Sequence, residues 1–213
     1  MKIMIGIPFG RTMDYQAVQS LLQLANLRGP NEYVFALVSN SLVYDAREKI
    51  TQLFLESECE FLFFLDSDMT FHPQTVDLLV RHNLQFVTAK AFKRVAPFMP
   101  CFYTRARYEN GQPDLQVPIE YGAGLLPIEG AGLACALIRR DVFEQLESPY
   151  FFPLPNMGED LAFCLKLQEA GVLMYADTTV TCGHITSFEV FEEHFQAHRD
   201  AAKATGQPLE ESR

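Results

Sequence analysis

Residues Glu60-Phe61-Leu62-Phe63-Phe64-Leu65 run straight into Asp66-Ser67-Asp68. A run of large apolar side chains with no polar face fits a strand covered on both sides, as in a parallel sheet with helices on each face. The carboxylates that follow stand just past the carboxyl end of that strand, where open α/β sheets place their ligands. The remainder of the chain must therefore supply neighbouring strands and two helical layers.

The flanking pattern does so. Ile3 to Ile7 reads as a strand ended by Pro8-Phe9-Gly10, and Val18, Leu21, Leu22 and Ala25 repeat at helical spacing until Arg28-Gly29-Pro30. Tyr33 to Val38 gives a second strand, and Val43 to Ser57 a helix with Ile50, Leu53 and Phe54 facing inward. Beyond Asp68 come a helix from about Pro73, a strand at Phe86 to Ala89, and then a change of texture. Lys93 to Pro127 is rich in Pro, Gly, Tyr and charge, with Asn110-Gly111 placed as a hairpin turn, which predicts an antiparallel insertion. Strands at Gly132 to Ile138, Val172 to Ala176 and Thr179 to Cys182 follow, with helices at Asp141 to Leu146, Gly158 to Ala170 and Glu189 to Ala202. Strands alternating with helices predict an α/β fold with a mostly parallel central sheet.

A chain of 213 residues predicts one domain over 1–204, with 205–213 as a flexible tail of low apolar content. A formal net charge of −10 argues against nucleic acid as a partner, because phosphate-backbone affinity needs Lys and Arg. Five cysteines without a C-x-x-C pair, most of them in apolar runs, fit a reducing compartment. No apolar run approaches a membrane span and the start does not read as a signal peptide, so the expectation is a soluble cytoplasmic protein.

Asp66 and Asp68 are the sharpest chemical signal. Two carboxylates one residue apart at a strand end can hold a hard divalent cation, which in turn can neutralise a diphosphate. A lone Asp in this position more often caps a turn, but a pair favours the ion.

Phe61 to Asp68 resembles the apolar strand and D-x-D motif of GT-A glycosyltransferases, and the similarity to family 2-like members runs from Ile3 to His184. The resemblance implies a GT-A fold, with a nucleotide-binding half over about 1–92 and an acceptor-side half over about 93–204. It implies a hexosyltransferase-like enzyme that uses Mn2+ or Mg2+ and moves a sugar from a nucleoside diphosphate sugar, a UDP-sugar first among them, to a hydroxyl acceptor. Asp66, Ser67 and Asp68 would hold the nucleotide-sugar diphosphate, with Asp66 toward the ribose and metal and Asp68 on the metal.

Further segments carry the same resemblance. Asp45 to Ile50 is similar to the A-R-N-x-[IL] segment whose Arg, here Arg47, approaches base or phosphates; Glu48 replaces the usual Asn. Pro8 resembles the Pro that opens the base pocket, whereas Ser39-Asn40 stands where an acidic residue is usual. Gly130-Ala131-Gly132 resembles the small-residue acceptor loop, which assigns Gly130 and Ala131 to the nucleotide-sugar site. Gly158 to Cys164 resembles the E-D-x-x-[FL]-x motif, which makes Glu159 and Asp160 the catalytic pair and Asp160 the general base. His184 corresponds to a third metal ligand, and an imidazole among carboxylates favours Mn2+.

Other readings of these residues exist. Asn156 and Glu159 have capping-box spacing, and Arg47 on an exposed helix face would pair with nearby acids. His194 and His198, four apart on the last helix, read as a solvated face. Leu65-Asp66-Ser67-Asp68-Met69-Thr70 also matches the motif of haloacid-dehalogenase-like phosphatases, with Asp66 as nucleophile and Lys90 or Lys93 as the required lysine. A nucleotidyltransferase would need a Gly-rich opening loop that is missing, and a non-catalytic sugar-nucleotide-binding module would not need Asp160.

Overall fold

The run from Phe61 to Leu65 lies inside a nine-stranded sheet and is buried throughout. The computed structural model describes residues 1–39, 41–186, 189–206 and 208–209. In order, the chain forms β1 (Lys2–Phe9), α1 (Tyr15–Ala25), β2 (Glu32–Ser39), α2 (Val43–Glu56), β3 (Phe61–Leu65), β4 (Met69–Phe71), α3 (Thr75–Val80) and β5 (Phe86–Lys90). Then come β6 (Phe102–Tyr103), β7 (Arg105–Glu109), β8 (Gln112–Gln116), β9 (Leu125–Ile128), β10 (Gly130–Ala131), β11 (Cys135–Arg139) and α4 (Arg140–Glu144). The chain continues as α5 (Glu159–Glu169), β12 (Met174–Ile185), β13 (Glu189–Val190) and α6 (Glu192–Thr205).

The sheet order is β13-β12-β5-β11-β3-β1-β2. β2, β1, β3, β5 and β12 point the same way, and β11 runs against both of its neighbours. Parallel neighbours place the ends of β1, β3, β5 and β12 on one side of the sheet, which is where Pro8, Asp66, Lys90 and His184 collect.

Alternation along the strands divides the core in two. Ile3, Ile5, Ile7 and Phe63 pack with Leu24 of α1 and Val76 and Leu79 of α3. Met4, Leu62 and Phe64 pack with Ile50 and Phe54 of α2 and Phe163 of α5. Successive strand residues face opposite sides, so one apolar sequence serves both layers. Gly6 lets α2 lie directly on β1: a Cβ there would sit 2.5 Å from Ile50 Cγ2.

The insertion contains the expected hairpin. β7 and β8 pair antiparallel around Asn110 and Gly111, whose φ values of 52° and 76° suit a two-residue primed turn. β6 pairs with β10, and β9 joins β12 antiparallel, so the insertion is stitched to the main sheet.

Several expectations need correction. The strands read at 172–176 and 179–182 are one strand, β12, whose pairing with β5 shifts register between Asp177 and Thr181. Such irregularity breaks the sequence pattern without breaking the strand. β4 was not read from the sequence; three residues carry no periodicity, and they become a strand by pairing with Cys182 to His184. Asn156 forms no capping box: it adopts φ 62°, and the residue before α5 is Gly158, with no side-chain cap. His194 and His198 are not simply a solvated face, since both rings meet Phe98 edge-on at 5.8 and 5.3 Å. Of the expected tail, Thr205 still belongs to α6 and Leu209 packs against the cluster of Phe92, Met99, Val190 and Phe195. Asn40, Gln207 and residues 210–213 lie outside the described residues. No helix among the described residues is long and apolar enough to cross a membrane.

Candidate functional site

The strand ends open into a cleft of about 220 Å3 lined by Pro8, Phe9, Val43, Ala46, Asp66, Ser67 and Asp68. One wall is apolar and comes from the end of β1 and the start of α2. The other is the polar turn after β3, which the chain holds in place through its backbone: Asp66 N–H donates to Ala134 O at 3.0 Å, and Ser67 O accepts from Asp14 N–H at 3.3 Å. Pro8, Asp66, Ser67 and Asp68 thus share one cavity.

Arg47 organises the inner part of the site. It is 2% exposed, so it is not on the outer helix face that a local ion pair would need. Nη2 donates to Asp66 Oδ1 at 2.7 Å and Nε to Glu159 Oε1 at 3.2 Å, while the guanidinium carbon lies 5.2 Å from the centre of the Phe64 ring. Burial disfavours the cation, but Asp66, Glu159 and Asp160 outweigh it and hold its pKa above the usual value. Nη1 is buried with no hydrogen-bond partner. A buried donor left unmade is costly, so this N–H is a polar group that the described residues leave unmatched.

Asp160 stands beside this ion-pair network and is not held in it by a side-chain bond. It is partly buried at the start of α5, and its Oδ1 accepts the Leu161 N–H at 2.7 Å. Burial, and after it the Glu159 carboxylate, pushes its carboxyl up to about 6, against the pull of the Leu161 N–H and Arg47. A carboxylate poised near neutrality is suited to accept a proton. Glu159 does something different, since its oxygen is committed to Arg47.

Of the small-residue segment, Gly130 and Ala131 are buried in β10 and serve packing. A Cβ on Gly130 would meet Ala106 Cβ at 2.9 Å and Leu161 Cδ2 at 3.0 Å, and Ala131 N–H donates to Cys164 Sγ at 3.4 Å. The glycine that leaves room for Asp160 is Gly158, where an added Cβ would lie 2.8 Å from Asp160 Oδ1; at Gly132 it would make an ordinary 3.6 Å contact with Oδ2.

At the outer end, Asp68 Oδ2 is 3.5 Å from His184 Nε2 and 2.8 Å from Arg94 Nη1. Burial works to raise the Asp68 carboxyl, but His184 and then Arg94 outweigh it, and the group sits below the ordinary carboxylate range. His184 Nδ1 lies 2.7 Å from Phe92 O. A carbonyl can only accept, so Nδ1 carries the hydrogen and Nε2 is the ring atom that faces Asp68. That backbone contact is the arrangement that orients metal-ligating histidines. Among the described residues, no group of three His, Cys, Asp or Glu side chains is close enough to hold an ion. The donor set at hand is Asp68 and His184, with Asp66 nearby and already tied to Arg47 through one oxygen.

Arg94 was not read from the sequence; a basic residue in a polar stretch gives no signal until the fold brings it to Asp68. Lys90, needed by the phosphatase reading, is turned to Glu192 at 2.5 Å and is 5% exposed. The other candidate, Lys93, has its Nζ 5.8 Å from the centre of the Tyr103 ring.

No protein-family model matches the chain, and no curated protein matches its sequence. Among solved structures, protein A197 from STIV is similar in fold, with a TM-score of 0.66 and 20% identity over 87% of this chain and 86% of that one.

Proposed function

We propose that this chain is a metal-dependent glycosyltransferase of the GT-A fold, moving a sugar from a nucleoside diphosphate sugar, in the first instance a UDP-sugar, to a hydroxyl acceptor. The observation that carries the reading is the double contact of Arg47. It joins the aspartate that follows β3 to the acid that opens α5, so two segments far apart in sequence are held beside each other.

Each residue then has work to do. The apolar wall of Pro8, Phe9 and Val43 fits the planar base of a nucleotide, and Asp66 and Ser67 lie where the ribose and diphosphate would follow. Asp68 and His184 would supply one oxygen and one nitrogen ligand, a mixed pair that suits Mn2+ better than Mg2+, with the remaining positions left to the diphosphate and water. When bound, such an ion supplies positive charge for a diphosphate leaving group. Arg94 adds a cation at the same edge, and Arg47 fixes Asp66 from behind the cleft. Asp160 receives the proton of the acceptor hydroxyl.

The test is a screen of UDP-, GDP- and other nucleotide sugars with Mn2+, followed by nucleotide release, beside a generic phosphatase substrate. Metal-dependent release of nucleoside diphosphate that disappears in Asp68→Ala supports the reading. Release of inorganic phosphate that disappears in Asp66→Asn, or no binding of any donor, overturns it.

A further inference from the structure

A second cavity, of about 710 Å3, begins at Thr70, two residues past Asp68, and lies between α1, β4 and the end of β12. Its volume is in the range of sites that hold small-molecule ligands. α1 and α5 cover opposite faces of the sheet, and the groove shares no lining residue with the cleft of Pro8 and Asp66, so the two are separate. Its frame is fixed: Ser20 Oγ accepts the Phe71 N–H at 3.3 Å and donates to Gln16 O at 3.2 Å, locking α1 to β4. The floor is closed as well, because a Cβ on Gly183 would lie 2.5 Å from Thr70 Oγ1 and 2.8 Å from Phe191 Cζ.

No Lys or Arg lines the groove, and His72 and the single carboxylate Glu189 stand among otherwise uncharged side chains. Gln16, Gln19 and Gln23 recur along one face of α1 and line it together, and none of the three amides has a protein partner among the described residues. Thr70 and Thr181 add hydroxyls across from them. Tyr15, 75% exposed, stands at the rim, with the Phe191 ring also lining the groove.

We propose that this groove is a non-catalytic saccharide-binding site for an uncharged oligosaccharide. A planar amide presents a donor and an acceptor side by side, which matches a pair of neighbouring sugar hydroxyls. An exposed tyrosine ring offers a flat apolar face to the C–H face of a pyranose while its hydroxyl stays wet. Uncharged amides and hydroxyls around aromatic rings suit a ligand that is polar, neutral and has one apolar face. The site does not depend on glycosyl transfer at the cleft, so either assignment can fail alone.

The test uses the intact protein with cellohexaose, maltohexaose, xylohexaose and chitohexaose, by saturation-transfer NMR and calorimetry. At least one binds, and Tyr15→Ala and Gln19→Ala, both at exposed positions, each weaken it about tenfold, the order expected for loss of one aromatic or amide contact. Asp68→Ala and Asp160→Asn leave this binding within about twofold, and Tyr15→Ala leaves nucleotide-sugar binding intact. The proposal is overturned if no saccharide of the panel binds, if binding survives both α1 substitutions, or if it vanishes with Asp68→Ala. A failed nucleotide-sugar screen with saccharide binding retained sinks the proposed function and leaves this one standing.

Discussion

Arg47 Nη2 lies 2.7 Å from Asp66 Oδ1; Asp66 lines the cleft, and Arg47 holds it from a position with almost no access to water. A buried cation bound to two acids is a joint whose removal leaves charge uncompensated. Arg47→Ala is therefore expected to cost about 3–5 kcal/mol, the scale for breaking a buried ion pair from one side. Arg47→Lys keeps the charge but not the fork, and should recover part of that loss. Urea denaturation at pH 7 checks both, and equal stability of all three proteins would show that the contact does not hold the cleft together.

Asp160 links activity and stability with opposite signs. Its carboxyl is raised to about 6 from the ordinary 3.8, so between those values the folded protein binds more protons than the unfolded chain. Stability from this group is thus greatest below about pH 4 and falls as pH rises through 6. Asp160→Asn should be no less stable than the parent at pH 7.5, with a gain of up to roughly 3 kcal/mol that fades toward pH 4. Its transfer activity should nevertheless drop about 10²–10⁴-fold. The parent's kcat/KM should rise with pH through about 6 and then level off. A flat profile over pH 5–7 would remove Asp160 as the base.

Asp68 and His184 should bind Mn2+ jointly. Asp68→Ala is expected to abolish calorimetric Mn2+ binding in the presence of UDP, and His184→Ala to weaken it by about 10–100-fold. Arg94 sits on Asp68 at 2.8 Å and competes for the same oxygen, so Arg94→Ala should tighten Mn2+ binding without nucleotide by a few-fold. Unchanged affinity in His184→Ala would take the histidine out of the ligand set.

Gly6 controls how closely the helix bearing Arg47 approaches the sheet. Gly6→Ala puts a methyl 2.5 Å from Ile50 Cγ2 and 3.0 Å from Leu62 Cδ1, an overpacking expected to cost about 1–3 kcal/mol. Because Ile50 is one helical turn from Arg47, nucleotide affinity should fall as well. Thermal melts and nucleotide titration of the variant check the two effects together.

Much of this arrangement is written locally. The five residues of β3 have no polar face, so their burial in a sheet covered by helices follows from composition alone, and the acids after Leu65 then have to emerge at a strand end. Asn110-Gly111 likewise dictates its turn, because both residues tolerate positive φ. Asp66, Ser67 and Asp68 could be placed at a strand end from the sequence for the same reason, whereas Pro8 joined them only through the family resemblance.

What tertiary structure alone decided is which distant groups share a charge environment. Nothing near Arg47 in the chain indicates that it is buried against Phe64 between Asp66 and Glu159, nor that Phe92 lends its carbonyl to His184. The reversed strand β11 and the register shift in β12 are also products of pairing, invisible to a pattern read one segment at a time. Hydrophobic periodicity is a property of neighbours along the chain and fixes elements. Electrostatic partners and proton affinities depend on neighbours in space, and these exist only once the sheet order has been set.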